Sequence, residues 1–315
     1  MMKIAFVFPG QASQYVGMGK ELRRDYPEAA EIFKQADEAL GFSLSTLCFE
    51  GPEEELNLTA NTQPAVLTTS LACLEVLKSV GGPVPFALAG HSLGEYSALV
   101  AAGSLEFADA VRLVRKRGQY MQEAVPLGEG GMAAVMGLAS AAVVEVCQKA
   151  SEPGVVIEAV NLNCPGQVVV AGNTAGLEAV EPLLKEAGAR RVVPLPVSAP
   201  FHSSLMVPAG ERLAVDLEQV VIKDPEIPVV ANVSADLVLT GAEVKDSLIR
   251  QVYSPVRWEE TILKLLELGS EAFVEVGPGK VLSGLVKKIS REVLISNVED
   301  KATLEKVLAL TREVS

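Results

Sequence analysis

Short runs of consecutive apolar, often β-branched residues alternate along the chain with longer segments whose apolar positions recur every three or four residues. KIAFVF (3–8), FALAG (86–90), IPVVANV (227–233), EAFVEV (271–276) and VLISNV (293–298) read as strands. SLACLEVLKSV (70–80), WEETILKLLEL (258–268) and GKVLSGLVKKI (279–289) read as helices. Strands that are apolar throughout, interleaved with helices, predict an α/β fold whose mostly parallel sheet is covered on both faces.

The middle of the chain follows another order. GMAAVMGL (131–138) is strand-like and SAAVVEVCQKAS (140–151) is helical. GVVIEAVNLN (154–163) and GQVVVAG (166–172) form two strands around the turn Cys164-Pro165-Gly166, LEAVEPLLKEAG (177–188) is helical, and RRVVPLPV (190–197) closes with a strand. The order β-α-β-β-α-β is that of a small ferredoxin-like unit. It interrupts the larger grammar, which predicts a large domain over residues 1–127 and 199–315 with a subdomain inserted over 128–198. A crevice between two such units is a natural ligand site.

The chain has 315 residues, 49% of them hydrophobic, enough for a sizeable core, and no apolar run approaches the roughly 20 residues needed to span a bilayer. MMKIAFVFPG is too short for a signal peptide and reads as a first buried strand. Cys48, Cys73, Cys147 and Cys164 show no C-x-x-C spacing, the pattern of buried reduced thiols in a cytoplasmic protein. A net charge of −13, from 27 basic and 40 acidic residues, argues against nucleic acid or an anionic membrane as a general partner. Arg115-Lys116-Arg117, Arg190-Arg191 and Lys287-Lys288 are the local exceptions, read first as solvated surface. With only His91 and His202 and no H-E-x-x-H, no metal site is expected. GPGKVLSG (277–284) lacks phosphate-loop spacing, and GEGGMA (128–133) stands before a strand, the wrong side for a dinucleotide fingerprint, so no cofactor is expected either. A monomer is expected.

Candidate chemistry centres on Gly90-His91-Ser92-Leu93-Gly94. G-x-S-x-G is weak alone, but FALAGHS runs a strand straight into the serine and SLGEYSALVAA continues as a helix. Strand, tight turn, helix is what a nucleophile elbow requires, with glycines keeping side chains away from the bend. The helix start leaves free N–H groups, including that of Leu93, beside the hydroxyl, where an oxyanion would develop. An ordinary N-cap serine is the alternative.

A serine nucleophile needs a base. His91 adjoins Ser92, so its side chain should point elsewhere, toward packing or ligand contact. His202, in VSAPFHSSLM, lies where the chain returns from the small unit to the large one and should border the crevice. In DAVRLVRKRGQYM, Ala110, Val114, Arg117 and Met121 share one helix face. An arginine on that inward face must find a carboxylate or strong acceptors, with an internal salt bridge as the plain reading and a substrate carboxylate as the sharper one. Gln11, directly after the first strand, sits where many α/β hydrolase-like sites take a second oxyanion N–H; a plain turn residue is the other reading.

FPGQASQ, NTQPA (61–65), GHSLGEYSAL, RKRGQYMQ, NLNCPGQVVVAG, PFHSSLM, RQVYSPVRW and EVGPGKVLSGL stand in one order along the chain. Together they closely resemble the malonyl-CoA:acyl carrier protein transacylases of fatty acid synthesis, almost end to end. The resemblance implies an α/β hydrolase-like domain with a ferredoxin-like insertion. It implies Ser92 as nucleophile, His202 as base, and the N–H groups of Gln11 and Leu93 as oxyanion hole. Arg117 would hold the malonyl carboxylate, and the backbone carbonyl of Gln251 would orient the histidine. Phe201 matches the aromatic associated with malonyl rather than bulkier branched groups.

The implied reaction is ping-pong transfer from malonyl-CoA to the phosphopantetheine thiol of acyl carrier protein, with neither metal nor redox cofactor. A serine esterase or thioesterase could share the elbow, but Arg117 and the whole-chain match argue against it. Intact Ser92, His202 and Gln11 argue against a catalytically idle acyl-binding or carrier-docking subunit.

Overall fold

Apolar runs buried on both faces make the core of the larger sheet. The computed structural model describes residues 2–197 and 199–313, so the boundary expected at 198 falls outside the described residues. Every residue of β1 (Ile4–Phe8) and β2 (Ala87–Gly90) is buried. β3 (Gly130–Met136), β4 (Ile157–Cys164), β5 (Gln167–Asn173) and β6 (Arg191–Pro194) come next in the chain. They are followed by β7 (Val229–Val230), β8 (Leu237–Val238), the fully buried β9 (Ala272–Val276) and β10 (Leu294–Val298).

Two sheets result. One has the order β10-β9-β1-β2-β7-β8 and is parallel except for the final β7–β8 pair. The other has the order β4-β5-β3-β6, with every pair antiparallel. Its four strands and the helices Ser140–Ala150 and Thr174–Glu186 alternate as β-α-β-β-α-β, the order read from the sequence. The fold is thus α/β with two subdomains.

Period-two alternation in the small sheet decides what faces the site. Ala133, Val135, Val168 and Val170 pack with Val143, Cys147, Val180 and Leu184 of the two helices. Their neighbours Met132, Ala134, Gln167 and Val169 point the other way and line a cavity against the large sheet. On the large-sheet side, the segments leaving the carboxyl ends of β1 and β2 line the same cavity, while Asn232, just beyond β7, hydrogen-bonds the turn that follows β2. Ligands of parallel α/β sheets bind in this position, beyond the carboxyl ends of the strands.

Several elements differ from the sequence reading. The helix read over 70–80 runs from Thr59 to Ser79, with Pro64 inside it and Asn61, Thr62 and Gln63 buried. The strand read over 227–233 is only Val229–Val230, because the chain turns directly afterwards. The closing strand of the small unit stops at Pro194, short of 197. The four cysteines are buried and unbonded. Among the described residues, no helix is long and apolar enough to cross a membrane.

Candidate active site

The turn after β2 is sharp for a steric reason. A Cβ on Gly90 would overlap the carbonyl of Gly94, and one on Gly94 would run into the carbonyl oxygen of Phe8. Only glycines allow β1, β2 and the next helix to approach so closely. Between them Ser92 adopts φ 51°, the left-handed region that a residue with a Cβ rarely occupies. The helix begins at Gly94, two residues later than the sequence suggested, with Leu93 at its N-cap position. Ser92 is therefore not the capping residue.

Its hydroxyl instead meets a side chain 110 residues away. Ser92 Oγ lies 2.7 Å from His202 Nε2, and His202 Nδ1 lies 2.8 Å from the carbonyl oxygen of Gln251. A carbonyl can only accept, so Nδ1 carries the proton and Nε2 presents its lone pair to the serine hydroxyl. His202 is only 3% exposed and also has positive φ, 65°. Burial, and after it the Arg117 charge, pulls its pKa down to about 3.

Arg117 reaches the site from the helix Phe107–Glu123, in line with the buried stripe of Ala110, Val114 and Met121. Its guanidinium donates from Nη1 to Gln63 Oε1 (2.8 Å), and from Nη2 to Gln251 Oε1 (2.9 Å) and Ser92 Oγ (3.1 Å). Nε is buried with no hydrogen-bond partner among the described residues, and no carboxylate there forms a salt bridge with this arginine. Burial lowers its pKa. The first-pass surface reading of Arg115-Lys116-Arg117 fails for this residue, which is 1% exposed. Arg115 bonds Asn61 and lies over the Phe42 ring, and Lys116 pairs with Asp216, so the three do not form one open basic patch.

Gln11 and Leu93 flank the serine from the ends of β1 and β2. Neither backbone N–H has a hydrogen-bond acceptor among the described residues, and both residues line the cavity. Gln11 donates its side-chain amide to Thr59 Oγ1 at 3.3 Å. His91 turns toward the small subdomain, where Nε2 meets Asn163 Oδ1 at 2.9 Å and the ring tilts against Trp258. Burial lowers its pKa. Phe201 is buried in the cavity wall. Seven of the eight residues singled out in the sequence thus line one cavity of about 250 Å³ shared by both subdomains, and the eighth, Gln251, is fully buried behind it, bonded to His202 and Arg117.

Three participants went unnoticed in the sequence. Asn232 accepts from the Ser92 N–H at 2.7 Å and donates to the Gly90 carbonyl at 2.7 Å, which pins both arms of the turn. Glu95, 1% exposed, accepts from Asn232 N (2.9 Å) and Gln251 Nε2 (2.8 Å) and lies 3.4 Å from Ser247 Oγ. Burial raises its pKa. Gln63 holds Arg117. Gln63 and Glu95 stand inside NTQPA and GHSLGEYSAL, but spacing gives no sign of contacts made across the fold. Among the described residues, no cluster of histidine, cysteine or acidic side chains is arranged to hold a metal.

Comparison with known proteins gives the family. Residues 5–313 match the acyl transferase domain family. The malonyl CoA-acyl carrier protein transacylase of Bacillus subtilis is 54% identical over 99% of this chain and 98% of its own. An acyl carrier protein S-malonyltransferase from Vibrio cholerae, 47% identical, superposes with a TM-score of 0.95 over 97% of this chain and 99% of its own. A malonyl-transacylase solved in complex with its type II PKS acyl-carrier protein, 44% identical, gives 0.95 over 98% and 99%. The chain belongs to the acyl transferase domain family and, within it, to the malonyl CoA-acyl carrier protein transacylases.

Proposed function

We propose that this enzyme moves a malonyl group from coenzyme A to the phosphopantetheine thiol of an acyl carrier protein through an ester on Ser92, supplying fatty acid synthesis. The observation that carries the choice of acyl group is Arg117, a buried cation 3.1 Å from the serine oxygen with no carboxylate partner among the described residues. An unpaired buried charge is costly, and a substrate carboxylate removes the cost. The planar guanidinium grips both carboxylate oxygens while the thioester lies over Ser92.

His202 Nε2 takes the Ser92 proton as Oγ attacks the thioester carbonyl. The resulting oxyanion receives the N–H groups of Gln11 and Leu93, which are set in place before the charge develops. The tetrahedral intermediate collapses to malonyl-Ser92, and the coenzyme A sulfur leaves with the proton from His202. In the second half, the carrier thiol enters, gives its proton to His202 and attacks the ester. Ser92 departs as alkoxide and recovers that proton. Gln251 O keeps the imidazole in one tautomer throughout.

Phe201 limits acyl bulk, and His91, tied to Asn163, fixes the cavity wall beside the nucleophile. Both subdomains must close on the ester, since water reaching it would divert the reaction to hydrolysis. The test is partition. Isolated malonyl-enzyme should deliver its acyl group to holo-carrier protein far faster than to water, and predominant hydrolysis would make the protein a thioesterase.

A further inference from the structure

Gln251 serves the site twice. Its main chain faces His202, and its side chain joins Arg117 to Glu95. The amide oxygen accepts from Arg117 Nη2 at 2.9 Å, while the amide nitrogen donates to Ser92 O at 3.0 Å and to Glu95 Oε2 at 2.8 Å. A side-chain amide can flip, exchanging oxygen and nitrogen at little cost in shape. Here a flip would aim N–H groups at the guanidinium and the oxygen at a carboxylate, opposing like to like on both sides. Three partners favour the productive orientation, Arg117, the Ser92 carbonyl and Glu95, and the shorter bond to the amide nitrogen is that of the Glu95 carboxylate. This carboxylate has no direct cation partner among the described residues, and both contacts to Oε2 come from N–H donors.

Resting on the functional reading above, we propose that Glu95 is a positioning residue for acyl selection. It fixes the Gln251 amide so that the amide oxygen, with Gln63, holds the Arg117 fork where the malonyl carboxylate arrives. What Glu95 supplies is an acceptor at the right place, not an ion pair to Arg117. Glu95 also bonds the Asn232 backbone and so braces the serine turn. That second task affects every acyl substrate alike and cancels in a ratio of two substrates.

The test compares kcat/KM for malonyl-CoA and acetyl-CoA, with melting temperature, in the full-length enzyme and three variants. Glu95→Met keeps the volume and removes the acceptor, and should lower the malonyl-to-acetyl ratio on the order of ten- to a hundredfold, the range for losing a hydrogen bond to a charged group. Glu95→Asp folds more safely but withdraws the carboxylate by one methylene, and should shift the ratio in the same direction. Glu95→Gln can place its oxygen where Oε2 stands and should keep the ratio within about threefold of the parent, being worth less than a single neutral hydrogen bond. An unchanged ratio in Glu95→Met and Glu95→Asp would overturn the proposal, leaving Glu95 a purely structural residue. A Glu95→Gln ratio as low as that of Glu95→Met would also overturn it, because charge rather than placement would then matter. A wild-type enzyme unable to transfer malonyl would instead sink the functional reading, a separate and visible outcome.

Discussion

Arg117 Nη2 donates to Ser92 Oγ at 3.1 Å, so the buried guanidinium and the serine hydroxyl of the elbow are in direct hydrogen-bond contact. The contact makes the role of the arginine testable. Charge-assisted bonds in a sheltered site contribute roughly 2–5 kcal/mol, or on the order of thirty- to several-thousandfold in rate. Arg117→Ala should lower kcat/KM for malonyl-CoA by about that factor, while acetyl-CoA becomes relatively better. Arg117→Lys should recover only part, keeping charge but losing the fork. Equal losses for both substrates, with a lowered melting temperature, would make Arg117 structural.

Ser92 and His202 should behave as one unit. Rapid-mixing measurement of coenzyme A release should find no burst in Ser92→Ala and a burst slowed by several orders of magnitude in His202→Ala. The double variant should be little worse than Ser92→Ala. Additive losses would mean that the 2.7 Å contact between them is not used in catalysis.

The pH dependence follows from the depressed His202 pKa, about 3, caused first by burial and then by Arg117. His202 is neutral, and therefore able to accept a proton, across the ordinary working range. The acid limb of kcat/KM for acyl-enzyme formation should fall well below the usual histidine value of roughly 6.5. Replacing Arg117 by Gln should move that limb upward, as a nearby positive charge is lost. The same shift has a stability consequence. Between the unfolded value and about 3, the unfolded chain binds the extra proton, so this group makes the fold less stable as pH falls through that window. A limb near 6.5 in the parent enzyme would contradict the buried, neutral base.

Among the described residues, no carboxylate contacts His202 Nδ1, which bonds the Gln251 carbonyl instead. Single Asp→Asn or Glu→Gln substitutions should therefore leave most acyl transfer intact in properly folded protein. A loss near the ten-thousandfold scale seen for the aspartate of a serine-protease triad would show that a triad acid exists.

Docking of an acidic carrier has to rely on local charge, because the enzyme is itself acidic. Val281, Leu282 and Leu285 of the helix Val281–Ile289 line the cavity, and Lys288 Nζ from the same helix donates to Gln167 Oε1, also at the cavity, at 2.8 Å. Lys287→Glu with Lys288→Glu should raise KM for carrier protein and leave malonyl-enzyme formation from malonyl-CoA unchanged. An unaltered carrier KM at low salt would assign these lysines to plain solvated surface.

Elements with a clean period were legible in the sequence, down to the order of the inserted unit. The buried helix Thr59–Ser79 was read only in its second half, because Pro64 and the polar run before it look like a loop, and only a crowded interior satisfies them as helix. β8 has two residues, too few to carry a pattern. At the site, Ser92, His202 and Arg117 could be picked out because each breaks a local rule: a serine between glycines, a histidine with almost no competitors, a cation on an apolar face. Asn232, Glu95 and Gln63 break none. Their contacts cross wide sequence gaps, 140 residues from Asn232 to Ser92, and only the folded sheet brings them together. Sequence alone also could not choose between an N-cap serine and a nucleophile. The φ of 51° at Ser92 and the helix start at Gly94 take the serine out of the capping position, and its hydroxyl meets His202 instead.

The central claim is that Ser92 carries the malonyl group between two thiols. Intact-protein mass spectrometry, seconds after mixing with malonyl-CoA, tests it most directly, with peptide mapping and a holo-carrier chase. The expected result is one malonyl adduct on Ser92, absent from Ser92→Ala and discharged onto the carrier thiol. An adduct that persists in Ser92→Ala, or maps to another residue, would contradict the account.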